Sequence, residues 1–80
     1  HPALAERFGR DLDRTVGFVT DNPEMYAQVY RGLRRAVLKR FDYAVVYRLL
    51  HDEIVVLGVL HCKLDPRTMQ ARMVSAAAYP

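Results

Sequence analysis

The chain has 80 residues, a formal net charge of +3 and an apolar content of 51%. This length suits one domain, and the apolar content excludes an intrinsically disordered chain. The longest apolar run, 54–60, suits a buried strand and is too short to span a membrane. A single cysteine excludes an internal disulfide and favours a reducing, cytoplasmic compartment. The mild positive charge fits ordinary surface residues, a nucleic acid or an acidic protein partner, and does not choose between them.

Residues 3–20 are predicted to form an amphipathic helix. The apolar residues that recur at spacings of four and three, and so share one face, are Leu4, Phe8, Leu12, Val16 and Val19. Asp11 and the neighbouring arginines are placed mainly on other faces. Pro2 suits the first turn, and "TDNPE" ends the helix because the residue before Pro23 is pushed away from helical geometry.

Residues 24–32 are ambiguous: 24–29 fit either one helical turn or an ordered loop, and Gly32 indicates a change of direction. After it, "LRRAVLKRF", "YAVVYRLL" and "IVVLGVL" predict a three-stranded antiparallel meander. "LDPRTMQARM" predicts a short C-terminal helix with Asp65 as the N-cap and Pro66 as the first helical residue. The expected fold class is α+β: an N-terminal helix packed on the meander, then the short helix, in a single domain over 1–80.

The last two strands are apolar on both faces. A hairpin that pairs Leu50 with Ile54 through "HDE" leaves apolar residues on each side of the sheet. The N-terminal helix covers one face. The second face requires a bound partner, a second copy of the chain or a further segment, so we expect a homo-oligomer or a complex formed through uncovered apolar surface.

Two groups of residues are candidate sites. His61 and Cys62 are adjacent, so they point to opposite sides of a strand, and no paired ligand motif accompanies them. We therefore expect no metal and no cofactor; a structural role for the histidine is favoured over acid–base catalysis. The second group is the basic cluster Arg31, Arg34, Arg35, Lys39 and Arg40. Two interpretations of this cluster are equally supported: a surface that binds phosphates or an acidic partner, or a solvated edge strand.

The stretch "RRAVLKRFDYAVVYRLLHDEIVVLGVLHCKLDP" resembles the second half of toxins in the RelE/ParE superfamily of type II toxin–antitoxin pairs. The family pattern is a paired basic start, an aromatic residue before a tight turn, a Y-x-V-x-Y strand, a hairpin, V-L-x-V-x-H and then D-P. The matching residues are Arg34, Arg35, Phe41, Tyr43, Val45, Tyr47, Val56, Leu57, Val59, His61, Asp65 and Pro66. The helix and its "NP" loop resemble the second helix of the family. The usual N-terminal strand and first helix are absent, so the resemblance implies a shortened member.

Two family activities are relevant to this chain. RelE-like members cut messenger RNA on the ribosome with basic residues and a tyrosine or histidine. A family arginine before the middle "L-V-Y" is Ala44 here, and the C-terminal tyrosine has no clear counterpart, since Tyr79 lies in a tail of different character. The ParE-like branch lacks this machinery and poisons DNA gyrase. The resemblance therefore implies a ParE-like, shortened or attenuated toxin of a plasmid-stabilisation system, which acts by protein binding and not as an enzyme. Its expected partners are a cognate antitoxin and DNA gyrase.

The expected partner-binding residues are Arg34, Arg35, Arg40, Val46, Arg48 and Lys63. The basic residues would meet acidic residues of the antitoxin, and Val46 would lie beneath it on the apolar sheet face. One alternative is a RelE-like ribosome-dependent messenger RNA endonuclease. Its catalytic residues would be Arg34, Arg35, Arg48 and His61. Another alternative is an inactive, self-associating remnant of the family.

Overall fold

A computed structural model describes residues 2–65, 67–68 and 71. The helix and strands are α1 (Pro2–Asp21), β1 (Gln28–Tyr30), β2 (Leu33–Val37), β3 (Tyr43–Leu50) and β4 (Glu53–His61). The strands form one antiparallel sheet in the order β1-β2-β3-β4. The predicted α+β class and meander are confirmed, but the sheet has four strands and not three. β1 has only three residues, too few to show the alternation by which a strand is recognised in a sequence.

The predicted C-terminal helix lies largely outside the described residues. Its proposed cap is described: Asp65 Oδ1 accepts a hydrogen bond from the backbone N–H of Arg67 at 2.7 Å. This is the bond that an N-cap side chain makes to the first turn of a helix. No helix among the described residues is both long enough and apolar enough to cross a membrane.

The stripe of α1 that faces the sheet differs from the predicted one. The predicted residues that do pack against the core are Phe8, Leu12 and Val19. Leu4 and Val16 remain 54% and 36% exposed, whereas Thr15 is buried in line with Val19. The Thr15 hydroxyl donates to the carbonyl of Asp11 at 2.8 Å, so its burial leaves no donor without a partner.

The hairpin between β3 and β4 has a two-residue turn. His51 and Asp52 both have positive φ, 50° and 65°, as a type I′ turn requires. Leu50 therefore pairs with Glu53, and its predicted pairing with Ile54 is wrong. Farther from the turn, one extra residue in β4 makes a bulge and restores the predicted register.

The sheet is apolar on both faces, as predicted. On the helix face, which packs against α1, Ala36, Val45 and Tyr47 are fully buried. The opposite face, here called the outer face, carries alternate residues of two strands. They are Leu33, Arg35 and Val37 of β2 with Ala44, Val46, Arg48 and Leu50 of β3.

The centre of the outer face is buried within the chain itself. Leu33 and Val46 have no exposed surface there. The side chains packed against them are Val29, Leu57, Leu60 and Leu64. At the two ends of this face, Val37 and Leu50 remain 52% and 46% exposed. The chain itself thus covers the middle of a face that was predicted to be uncovered.

Candidate partner-binding site

Two arginines flank the buried centre of the outer face. Arg35 and Val46 are partners across β2 and β3, and Arg48 is the next residue of β3 on the same face as Val46. Arg35 and Arg48 are therefore diagonal neighbours on the outer face, a relation that places residues about 7–8 Å apart. The Nε atom of Arg48 is buried without a hydrogen-bond partner among the described residues. A buried donor without an acceptor destabilises the protein, and the Arg48 side chain is only partly buried, so a carboxylate that draws the guanidinium outward would supply the missing acceptor.

Arg34 is adjacent to Arg35 but lies on the helix face. Its Nη1 donates to the carbonyl of Tyr26 at 2.6 Å and to that of Glu24 at 3.3 Å. Both carbonyls belong to the loop between α1 and β1, residues 22–27. The guanidinium of Arg34 therefore holds this loop against the sheet.

Tyr47 anchors the same loop from the middle of the core. Its hydroxyl donates to the carbonyl of Pro23 at 2.7 Å, and its ring meets that of Tyr26 edge-on at 6.4 Å. Burial raises the pKa of the Tyr47 hydroxyl, with the charge of Arg34 acting in the opposite direction. Arg34 and Tyr47 together fix the path of the chain from the helix into β1.

His61 lies on the helix face, at the end of β4. It pairs with Tyr43, and the two rings meet at 5.0 Å. Its Nδ1 accepts the backbone N–H of Lys63 at 3.1 Å, which places the ring proton of a neutral imidazole on Nε2. The exposed Lys63 is thus tied through its backbone to His61. The structure does not bring the four residues of the nuclease alternative together on one face, because Arg35 and Arg48 lie on the outer face.

The helical pattern places Asp11 mainly on a face away from the apolar stripe, and this prediction is wrong. Asp11 is 4% exposed and faces the sheet. One carboxylate oxygen accepts the backbone N–H of Arg40 at 2.7 Å, and the other accepts that of Lys39 at 3.2 Å. The second oxygen also accepts a bond from Arg14 Nη2 at 2.7 Å. The signal was present in the sequence: Asp11 is three residues after Phe8, on the stripe that packs against the core.

The environment of Asp11 keeps its carboxyl ionised. Burial raises its pKa, but the hydrogen bonds from Arg40, Arg14 and Lys39 and the charge of Arg14 outweigh burial and bring the pKa below its ordinary value. The carboxylate thereby holds the loop between β2 and β3, residues 38–42, against α1.

Arg40 is placed by this loop on the helix side of the molecule, away from Arg35 and Arg48. It lines a groove of about 420 Å³. The residues around this groove, here called the arginine groove, are Arg7, Arg10, Asp11, Arg14 and Arg40. Among the described residues, no group of three or more His, Cys, Asp or Glu side chains is placed to hold a metal ion.

Residues 1–66 match the family model of the ParE toxin of the type II toxin–antitoxin system, parDE. The match spans α1 and all four strands. This chain belongs to the ParE toxin family. The predicted RelE/ParE resemblance is thereby confirmed, and membership of the ParE family implies an antitoxin partner. No curated protein and no solved structure matches the chain significantly.

Proposed function

We propose that this ParE-family chain is the toxin of a plasmid-stabilisation pair and acts by binding proteins, with DNA gyrase as its target. The observation that carries the proposal is the pair of arginines on the outer face, where Arg48 Nε is buried without an acceptor among the described residues. Such an arrangement suits recognition of a carboxylate from another polypeptide. The family match supports the antitoxin as a partner, and gyrase as the target rests on the resemblance to the ParE-like branch.

The antitoxin segment is proposed to lie across the outer face. Its apolar side chains would cover Val37 and Leu50, which are exposed at opposite ends of this face. Its carboxylates would meet Arg35 and Arg48, and the exposed Lys63 is available near the end of β4. Val46 would support this surface from beneath, because it is fully buried in the free chain. Segments that are disordered alone and fold on binding commonly recognise their partners in this way.

The positions of Arg34 and His61 support binding over catalysis. A general acid–base mechanism needs its groups to converge on one substrate within hydrogen-bond reach. Arg34 donates to two loop carbonyls, and Nδ1 of His61 already accepts a backbone N–H. Because both side chains make structural contacts, the nuclease alternative has less support.

The test of the activity is DNA supercoiling by purified gyrase in the presence of the purified chain. Inhibition is expected, together with intact messenger RNA when the chain is incubated with translating ribosomes. Cleavage of the messenger, slowed about a hundredfold by His61→Ala, would instead establish the RelE-like activity. A chain inert in both assays that forms a homodimer in light scattering would be the self-associating remnant.

The outer face is tested separately, by titration with the cognate antitoxin. The double variant Arg35→Gln/Arg48→Gln removes both guanidiniums, so binding should weaken about tenfold or more. Arg31→Gln/Arg67→Gln removes the same charge from exposed positions elsewhere and should bind like the parent chain. Equal loss in both doubles would show that net charge, and not the outer face, governs the complex.

A further inference from the structure

The arginine groove lies between α1 and the loop that follows β2. Arg7, Arg10 and Arg14 are separated by three and four residues, so they form one row on the helix. At about 1.5 Å per residue this row covers about 10 Å along the helix axis. Arg40 faces the row from the loop after β2. The backbone N–H groups of Lys39 and Arg40 donate to the Asp11 carboxylate, and these two bonds fix the position of the loop.

The guanidiniums of the groove are only partly neutralised. Arg14 donates to Asp11 at 2.7 Å, whereas Arg10 lies 3.6 Å from Glu6 in a pair whose two side chains are 76% and 69% exposed. The side chains of Arg7 and Arg40 make no ion pair or hydrogen bond within the described part of the chain. Like charges at helical spacings repel one another. A bound anion would relieve this repulsion and would receive several N–H donors.

The form of the groove favours carboxylates over a nucleic acid. None of the described residues that line it is aromatic, so it offers no platform on which bases could stack. In an extended peptide, alternate residues lie on one side about 6.6 Å apart. The backbones of Arg7 and Arg10 are about 4.5 Å apart along the helix axis, and both side chains are exposed, so their long stems can spread to meet carboxylates at this wider spacing.

We propose that the arginine groove binds an acidic segment of a partner polypeptide, in which alternate residues are aspartate or glutamate. One carboxylate pairs with Arg7 and Arg40, and the next pairs with Arg10. This surface is distinct from the outer face, since α1 and the outer face lie on opposite sides of the sheet. Partner binding at the groove can therefore be tested independently of the antitoxin contact proposed for the outer face.

The test uses fluorescence anisotropy with a labelled peptide of alternating aspartate and serine. The full chain should bind it saturably, with an affinity that falls as salt is raised. Arg7→Gln/Arg40→Gln should weaken binding about tenfold or more, while Arg31→Gln/Arg67→Gln leaves it within about twofold of the parent. The same peptide with asparagine in place of aspartate should not bind. Melting temperatures of both doubles verify that each variant is folded.

Three results would overturn the proposal. The first is the absence of saturable peptide binding by the folded parent chain. The second is equal weakening in the two double variants, which would reveal attraction by net charge alone. The third is tighter binding of a labelled oligothymidylate that the Arg7→Gln/Arg40→Gln variant loses, which would assign the groove to phosphates.

Discussion

The hydroxyl of Tyr47 provides the sharpest test of how the 22–27 loop is held. Tyr47 is fully buried, and its hydroxyl bond to the Pro23 carbonyl is 2.7 Å long. Tyr47→Phe keeps the ring and deletes this bond, which should lower the free energy of unfolding by about 1 kcal/mol. For a domain of this size, that loss corresponds to a melting temperature lower by about 4–8 °C.

Thermal and urea unfolding followed by circular dichroism would measure the effect. Tyr26→Phe is the matched control, because the hydroxyl of Tyr26 makes no hydrogen bond within the described residues while its ring packs beside Tyr47. The control should change the free energy of unfolding by less than about 0.5 kcal/mol. Equal melting temperatures for the two variants would refute the assigned role of the Tyr47 hydroxyl.

Alkaline titration of the same proteins gives a second readout. Burial raises the pKa of Tyr47 above its ordinary value of 10.0, so folding favours the protonated hydroxyl. This contribution to stability is fully present below that ordinary value and is lost as the pH rises through the raised pKa. The parent chain should therefore lose more stability than Tyr47→Phe in this range. Parallel curves for the two proteins would contradict the burial argument.

Three further predictions concern the other contacts of the fold. Arg34→Met keeps the apolar stem but removes both bonds to the 22–27 loop, so the free energy of unfolding should fall by about 1.5 kcal/mol in urea titrations. Arg40→Met is the control, because the exposed Arg40 side chain makes no ion pair or hydrogen bond within the described residues, and its midpoint should not change; an equally unchanged midpoint for Arg34→Met would mean that Arg34 is available for a functional role. Asp11→Asn should destabilise the chain at neutral pH, and because the pKa of Asp11 is lowered from 3.8, this difference should shrink as the pH falls through and below that value. Chemical unfolding at several pH values would detect it, and a difference that stays constant into strong acid would argue against an ionised Asp11. Replacing the turn residues by His51→Asn and Asp52→Gly should raise stability by about 0.5–1 kcal/mol, since both backbones have positive φ; a lower melting temperature would mean that the native side chains make a stabilising contact.

Periodicity predicted the elements whose side chains alternate over a sufficient length. The helix was predicted within two residues of its observed ends, and β3 and β4 were recognised by their runs of β-branched and aromatic residues. The register near the turn was not predictable in the same way. It depends on His51 and Asp52 adopting positive φ, a conformation for which glycine or asparagine is the usual signal.

The candidate site was only partly predictable for a different reason. Arg35 and Arg48 were named as partner-binding residues, and strand alternation does place them on one face with Val46. Arg34 was named with them, but its bonds to backbone carbonyls eight and ten residues away depend on the path of a loop. Helical periodicity placed Asp11, with the neighbouring arginines, mainly on faces other than the apolar stripe. Its backbone partners are 28 and 29 residues away, and no local pattern encodes them.

The distance along the chain between Asp11 and its partners also bears on how the protein opens. If α1 leaves the sheet, the amides of Lys39 and Arg40 lose their acceptor in the same event. The helix and the loop should therefore open as one cooperative unit, although Asp11 lies 28 and 29 residues before the two amides. In native-state hydrogen exchange, these two amides should exchange with the free energy of helix detachment and not with the rapid exchange of an ordinary hairpin loop.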